Sequence, residues 1–267
     1  MTNIEGIKMT DKNPVNNQAY DGGFTAIFRT VGFIGDSLSS GEHESFTNGV
    51  VGYHDYYEYS WGQFMARKCG FKAYNFSCGG LTAKSFLSFS DEHECFVKEK
   101  ACQAYVIALG VNDVSRIIDK VEYDGGFGTT EDMINRNRAT FVGCYAKIID
   151  RARETEPNCR IFVVTPPVSD WDGDVRSSLY DDVAGFLRKL PEYFPLLYVI
   201  DLRKYAPVYD KTFRDFYYCG GHLNAMGYKY TADVMCNYID YIIKTKPEDF
   251  IQTGFIGKSE YNENYKR

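Results

Sequence analysis

The stretch Val31-Gly32-Phe33-Ile34-Gly35-Asp36-Ser37 indicates the fold more clearly than any other part of the chain. Its first four residues form a short apolar run, which is typical of a strand that is buried on both faces of a parallel sheet. The Gly-Asp-Ser that follows is a turn sequence, in which glycine permits a sharp bend. We therefore expect a buried strand that presents a serine at its carboxyl end.

Four more apolar runs of this kind follow, and longer amphipathic stretches separate them. The runs cover residues 71–76, 105–109, 161–164 and 197–200. Strands that alternate with helices form right-handed βαβ units around a parallel sheet. The sequence therefore predicts a three-layer α/β/α sandwich with a central parallel sheet, in one domain spanning residues 1–267. Its core is expected at about 30–245, between polar extensions at both ends.

Helical spacing is clear in three segments. One covers residues 61–68, and another runs from Asn224, a potential N-cap, to a stop near Pro247. In the third, Thr129 and Asp132 resemble a capping box. Apolar residues at helical spacing follow that box before Pro157, namely Phe141, Tyr145, Ile148 and Ala152. We expect helices on both faces of the sheet.

Composition excludes several classes of protein. Hydrophobic residues make up 44% and charged residues 25% of the chain, as in an ordinary globular protein. The net charge of −6 and the lack of a Lys/Arg block argue against a nucleic-acid partner. The sequence contains neither a secretory signal pattern nor an apolar run of the roughly 20 residues that a membrane helix needs. We expect a cytoplasmic protein with reduced cysteines and no membrane partner.

Chemically useful residues follow the predicted strands. Gly79-Gly80 comes after the second strand, where backbone N–H groups can approach a ligand oxygen, and Asn112-Asp113 comes after the third. Near the other end of the chain, His222 precedes the last helix, in a loop position that suits a general base. Each of these motifs is also an ordinary turn sequence when taken alone.

Together and in this order, the motifs resemble those of the SGNH/GDSL hydrolase family, over about residues 30–244. The resemblance implies a flavodoxin-like SGNH fold and a carboxylic ester hydrolase. It makes Ser37 the nucleophile and His222 its base. Backbone N–H groups of Ser37 and Gly80 would form the oxyanion hole with the Asn112 amide. Neither a metal nor an organic cofactor is implied.

One position departs from the family pattern. The family usually has an aspartate three residues before the catalytic histidine, and this chain has Cys219 there. A neutral thiol does not stabilise an imidazolium as a carboxylate does. Three alternatives follow: a Ser–His dyad, another carboxylate such as Asp215 in the aspartate's role, or a catalytically weakened homologue. We favour the dyad, because the other signature residues are all present.

The substrate is less directly indicated. Aromatic residues that could stack on a sugar lie between the first two motifs, and Trp171 is a further candidate. We expect a small acyl ester, an acetyl ester foremost, on a carbohydrate. Alternatives are a non-catalytic protein that binds an acylated ligand, and a thioesterase or transacylase. The glycine-rich residues 123–127 are expected to form a loop beside the site. The aromatic residues between the motifs are Tyr53, Tyr56, Tyr57, Tyr59 and Trp61.

Overall fold

The computed structural model describes residues 13–116, 129–136 and 140–265. In chain order, its strands are β1 (Thr30–Gly35), β2 (Glu42–Thr47), β3 (Val50–Asp55), β4 (Lys72–Ser77), β5 (Ala104–Ala108), β6 (Arg160–Val164), β7 (Leu197–Ile200), β8 (Tyr218–Cys219) and β9 (His222–Leu223). Five of them form a parallel sheet in the order β4-β1-β5-β6-β7. The predicted parallel sheet is confirmed, and each of its strands lies within one residue of the expected bounds.

Helices cover both faces of this sheet. They are α1 (Ser37–Ser40), α2 (Trp61–Cys69), α3 (Ala83–Glu92), α4 (Val111–Arg116), α5 (Thr130–Arg136), α6 (Phe141–Thr155), α7 (Gly173–Lys189), α8 (Leu202–Tyr205), α9 (Lys211–Tyr217) and α10 (Ala225–Thr245). None of the helices in the described ranges combines enough length with enough apolar residues to cross a bilayer.

Alternation along the strands creates two hydrophobic cores. On β5, Tyr105 and Ile107 pack into the core that contains α3, α6 and α7. Val106, between them, packs into the core that contains α2 and α10. Successive side chains of a strand point to opposite faces, so a continuous apolar run fills both cores at once. The predicted three-layer architecture is confirmed.

Side-chain caps fix where the predicted helices begin. The Asn224 side chain accepts a hydrogen bond from the Gly227 N–H at 3.0 Å, so α10 begins as expected. The expected single helix after Thr129 was wrong. Thr129 and Asp132 do form reciprocal hydrogen bonds, but they cap the short α5. The longer α6 has its own cap, because the Thr140 hydroxyl accepts from the Gly143 N–H.

The remaining strands form two antiparallel hairpins, β2–β3 and β8–β9. Asn48 and Gly49 join β2 to β3 with φ values of +54° and +78°. Positive φ at both central residues is the signature of a type I′ turn, which matches the twist of the two strands. This hairpin packs through β2 on β8 and β9. The expected loop at residues 123–127 lies outside the described residues.

Candidate active site

Ser37 lies at the carboxyl end of β1, where the strand turns into α1. Asp36 caps this helix, because its Oδ1 accepts a hydrogen bond from the Leu38 N–H at 3.1 Å. Ser37 is largely buried, and its hydroxyl makes no hydrogen bond within the part of the chain that the structure describes. The carboxyl edge of an open α/β sheet is the usual place for a ligand. Ser37 is therefore well placed to meet a substrate.

The segment after β4 is hydrogen-bonded to the first turn of α4, which follows β5, and β1 lies between β4 and β5 in the sheet. The Asn112 side-chain amide donates to the Leu81 carbonyl oxygen at 3.2 Å. Both carboxylate oxygens of Asp113 lie 3.1 Å from the Ala83 backbone nitrogen and accept its hydrogen. Gly80 immediately precedes this tied segment. Of the two expected oxyanion residues, Gly80 lies in the loop after β4 and Asn112 lies in the first turn of α4, after β5. The two residues therefore flank the strand of Ser37.

His222 reaches the same edge from the other end of the chain. It begins β9, and its backbone pairs with Cys219 of β8. The β9 strand packs against α1, the helix of Ser37, and against β2. On α10, the Tyr228 hydroxyl lies 3.3 Å from the Ser37 carbonyl oxygen and 2.7 Å from the Glu42 carbonyl oxygen. The fold therefore brings the segments of Ser37 and His222 together despite their separation in sequence.

Two glutamates of β2 contact the two ring nitrogens of His222. Glu44 Oε1 lies 2.6 Å from Nδ1, and Glu42 Oε1 lies 3.2 Å from Nε2. The glutamates are two residues apart on one strand, so their side chains share a face. A Cβ at Gly79 would collide with Glu42 Oε2, and one at Gly220 would collide with Glu44 Oε2. These two glycines provide the space in which the carboxylates lie.

The side chains considered as orienters of His222 have other partners. Asp215 is on the exposed side of α9 and pairs with Lys211 at 2.6 Å. The exposed Cys219 thiol lies 3.5 Å from the Glu44 carbonyl oxygen. Neither side chain is among the contacts of the His222 ring within the described residues.

The motifs of the sequence do not mark Glu42 or Glu44, but a signal for their hairpin is present. Asn48-Gly49 is a preferred dipeptide of a two-residue hairpin turn. A strand that ends at this turn places residues 42, 44 and 46 on one face. The local sequence therefore indicates the hairpin, whereas its contact with a histidine in another part of the chain is a property of the fold.

Three carboxyl groups near the site have raised pKa values. Burial raises the pKa of Asp36 from 3.8 to about 7 and the pKa of Asp113 from 3.8 to about 6. Burial also raises the pKa of Glu42, although the adjacent His222 opposes this change. Asp36 Oδ2 is buried without a hydrogen-bond partner among the described residues. Asp36 and Asp113 therefore change protonation at mildly acidic to neutral pH.

Two exposed aromatic rings flank the histidine hairpin. The Tyr53 ring meets the His222 ring edge to face, with centroids 6.0 Å apart, and 62% of Tyr53 is exposed. Trp171 is 55% exposed and meets Tyr218 of β8 edge to face, with ring centroids 5.9 Å apart. The Arg214 guanidinium lies 4.0 Å from the centroid of the Trp171 ring. These rings offer apolar faces to a ligand that enters the site.

The other aromatic candidates differ in exposure. Tyr56 and Tyr59 are half exposed, and Tyr57 is partly buried. Trp61 packs edge to face on Phe33 inside the core and is 3% exposed. Of the aromatic residues that could stack on a sugar, Trp61 is therefore not available, because its ring is used in packing α2 on the sheet.

A small, mainly apolar cavity of about 60 Å³ lies beside the site. Three of its walls are Leu38, Val111 and Leu223, each adjacent in the chain to a candidate site residue, and Asp36 also lines it. Among the described residues, no three histidine, cysteine or carboxylate side chains are arranged to hold a metal ion.

The three-layer fold is that of the SGNH hydrolases. Residues 33–230 match the model of the GDSL-like lipase/acylhydrolase family. The chain therefore belongs to the GDSL-like lipase/acylhydrolase family, as the sequence motifs predicted. A comparison with curated protein sequences finds no match.

Solved structures with a similar fold include carbohydrate esterases. One is a family two carbohydrate esterase from Clostridium thermocellum in complex with cellohexaose, with a TM-score of 0.55 and 17% identity, covering 83% of this chain and 65% of that one. Another is a family 2 carbohydrate esterase with a carbohydrate-binding domain from Corynascus thermopiles (Myceliophthora fergusii). It has a TM-score of 0.54 and 15% identity, and the match covers 80% of this chain and 66% of that one. A family 3 carbohydrate esterase of C. thermocellum has a TM-score of 0.51 and 14% identity, and the match covers 81% of this chain and 98% of that one. At these identities, the likeness shows a shared fold.

Proposed function

We propose that this protein is a serine esterase that removes small acyl groups, acetyl foremost, from carbohydrates. One observation carries the proposal: the fold brings the segments of Ser37, Gly80, Asn112 and His222 to one edge of the sheet. Membership in the GDSL-like lipase/acylhydrolase family supports ester hydrolysis as the reaction.

In the proposed reaction, the Ser37 hydroxyl oxygen attacks the acyl carbon while His222 Nε2 takes the hydroxyl proton. A bond forms between the serine oxygen and the acyl carbon, and the carbonyl oxygen becomes an oxyanion. The tetrahedral intermediate then expels the sugar alkoxide, which receives the proton from His222. Water attacks the acyl-enzyme by the same route, which releases the acid and restores Ser37.

The oxyanion would be held by the backbone N–H groups of Ser37 and Gly80 and by the Asn112 amide. Asn112 lies in the first turn of α4, after β5, and Gly80 lies in the loop after β4, which the Asn112 amide contacts at the Leu81 carbonyl oxygen. Donors fixed in this way need no reorganisation when charge develops, and each contributes about 10²–10³-fold to the rate in comparable sites.

The nature of the substrate is inferred from the rim of the site. Tyr53 and Trp171 present exposed aromatic faces beside the hairpin of His222, and sugar rings pack on such faces. The neighbouring cavity of about 60 Å³ is small and mainly apolar, which agrees with a short acyl chain. The complex of a structural neighbour with cellohexaose agrees with a carbohydrate ligand.

The test is hydrolysis of p-nitrophenyl esters of increasing chain length and release of acetate from acetylated oligosaccharides, by wild type and Ser37→Ala. We expect activity that falls with chain length and is reduced by roughly 10³–10⁶-fold in Ser37→Ala. Activity on longer chains in preference to acetyl would contradict the small-acyl assignment. Activity that survives Ser37→Ala would remove Ser37 from its role. Saturable binding of the acetylated oligosaccharide without any hydrolysis would identify a binding protein instead.

A further inference from the structure

His222 lacks the aspartate that the family pattern places three residues before it, because Cys219 occupies that position. The imidazole of a serine hydrolase must hold its proton on Nδ1, so that the Nε2 lone pair faces the serine. A partner on Nδ1 fixes this tautomer and stabilises the imidazolium that forms during the reaction. A residue elsewhere in the chain must then supply that partner.

Glu44 makes the contact that this role requires. Its Oε1 lies 2.6 Å from His222 Nδ1, which is the short distance expected of a charge-assisted hydrogen bond. Only 13% of the Glu44 side chain and 19% of the His222 side chain are exposed. Partial burial of the pair strengthens the electrostatic contact relative to one in water.

The surrounding backbone is shaped to admit this carboxylate. A Cβ at Gly221 would lie 2.9 Å from Glu44 Oε1, and one at Gly220 would collide with Oε2. The Cys219 thiol, at 3.5 Å, donates to the backbone carbonyl oxygen of Glu44. The loop that carries the histidine therefore encloses Glu44 from both sides, and Cys219 supports the glutamate's backbone.

We infer that Glu44 is the residue that positions His222, and that a Ser37–His222–Glu44 triad replaces the Asp-x-x-His arrangement of the family. This inference rests on the proposed esterase function. Glu44 accepts a hydrogen bond from Nδ1–H, while the proton of Ser37 moves to Nε2. No proton is transferred to Glu44 at any step.

The other charged groups near His222 cannot take this role. Glu42 Oε1 is 3.2 Å from Nε2, the nitrogen that must face Ser37. Asp36 lies in the turn before α1 and interacts with the His222 ring only through the Coulomb attraction between their charges. Its Oδ1 caps α1. Asp55 of β3 accepts from the Ser40 hydroxyl. From the elements that pack around the ring, only Glu44 reaches Nδ1 among the described residues.

The test compares Glu44→Gln and Glu44→Asp with Glu92→Gln, a matched control at the exposed end of α3. We expect Glu44→Gln to lower kcat by roughly 10²–10⁴-fold with little change in KM. The acid limb of its kcat/KM profile should move to lower pH, because the imidazolium loses a carboxylate partner. Glu44→Asp keeps a carboxylate and should retain at least about tenfold more activity than Glu44→Gln.

Two results would overturn the inference. The first is a Glu44→Gln enzyme within about threefold of wild type, with an unchanged pH profile. The second is equal loss in Glu44→Asp and Glu44→Gln, which would make side-chain length rather than charge the requirement. Thermal unfolding of each variant, compared with Glu92→Gln, separates loss of the fold from loss of chemistry.

A second readout keeps this inference distinct from the proposed function. In proton NMR spectra, a short contact between Nδ1–H and a carboxylate strongly deshields the imidazole proton. We expect such a His222 signal in wild type and in Ser37→Ala, and its loss in Glu44→Gln. If wild type shows no Ser37-dependent hydrolysis, the proposed function fails, and this signal still decides whether Glu44 holds the ring. Absence of the signal from folded wild type would overturn the contact itself.

Discussion

His222 lies between two carboxylates, and its two ring nitrogens face them in different roles. A neutral imidazole carries one N–H hydrogen, whereas an imidazolium carries two. Glu44 lies 2.6 Å from Nδ1 and Glu42 lies 3.2 Å from Nε2, so a carboxyl group stands at each position where an imidazolium carries a hydrogen. A protonated ring cannot accept the proton of Ser37. Glu42 thus opposes the basic form of His222, whereas Glu44 orients it.

We predict that Glu42→Gln makes the enzyme more active in mildly acidic solution. The amide removes a negative charge that lies 3.2 Å from His222 Nε2 and favours the imidazolium. Below pH 7, kcat/KM should rise by roughly 2- to 10-fold, while the alkaline plateau stays near its wild-type value. The measurement is the pH profile of kcat/KM with p-nitrophenyl acetate.

The alkaline plateaus of kcat/KM in the two amide variants distinguish the roles of Glu42 and Glu44. Both amide variants move the acid limb to lower pH, but only Glu44→Gln should lower the plateau. A Glu42→Gln enzyme that is slower than wild type at every pH would contradict this division, and would mean that Glu42 assists the reaction.

At the scale of the element, the β2–β3 hairpin and the β8–β9 hairpin form one unit that holds the imidazole. Gly220, in the turn between β8 and β9, has φ of +74°, and a Cβ there would meet the Glu44 carboxylate. Gly70, at the end of α2, has φ of +77°, but a Cβ there would meet no heavy atom within 4 Å. The two glycines have similar positive φ angles and differ in what surrounds them.

We predict that Gly220→Ala impairs catalysis and Gly70→Ala does not. Each alanine is forced into the left-handed region, at a cost of roughly 1–2 kcal/mol in the free energy of unfolding. Only Gly220→Ala also displaces Glu44, so its kcat should fall by roughly tenfold or more. Steady-state kinetics and urea unfolding of both variants check this. Equal activity in the two would show that the carboxylate can move without effect on the ring.

The elements differ in how well the sequence predicts them. The strands of the parallel sheet are predictable because burial on both faces demands continuous apolar runs, such as residues 161–164. The β2–β3 hairpin was missed because it has no such run. Its first strand begins Glu42-His43-Glu44-Ser45, and much of the hairpin is exposed. The break between α5 and α6 was missed because Thr140 caps α6 within a region of helical spacing.

The candidate site was predictable where local backbone geometry imposes a sequence. A turn at the end of a strand favours glycine and capping side chains, so Ser37 and Gly80 stand in recognisable surroundings. No turn or capping sequence of this kind surrounds Glu44. It meets His222 across 178 positions of sequence, and its contact depends on how the two hairpins pack.

At the scale of the whole molecule, buried carboxyl groups couple stability to pH. Burial raises the pKa of Asp36 from 3.8 to about 7, and it raises the pKa of Asp113 to about 6. The folded state therefore favours the protonated acids more than the unfolded chain does. Their contribution to stability is fully present below pH 3.8 and is lost as the pH rises through about 7.

We predict that Asp36→Asn flattens this dependence. Asparagine also caps helices well, so the Leu38 N–H keeps its acceptor. Between pH 5 and pH 8, the free energy of unfolding should fall by about 2–3 kcal/mol less in the variant than in wild type. Urea denaturation at several pH values measures this difference.

The matched control is Asp210→Asn, since Asp210 also caps a helix, α9, but is exposed. It should leave the slope of stability against pH as it is in wild type. A wild-type slope in Asp36→Asn would mean that another group is responsible for the loss of stability.

The packing of β2 on β9 has a consequence for how the site can evolve within the family. If the acid of the triad belongs to a surface hairpin, then it can be gained, lost or exchanged independently of the loop that bears the histidine. Relatives with no aspartate before that histidine need not be degenerate copies, and an acidic residue seven positions after the nucleophile becomes the feature by which to sort them. The β2–β3 hairpin, which carries the acid, can therefore be transferred as one unit. Its transfer into a homologue that lacks the aspartate is a route to restoring activity.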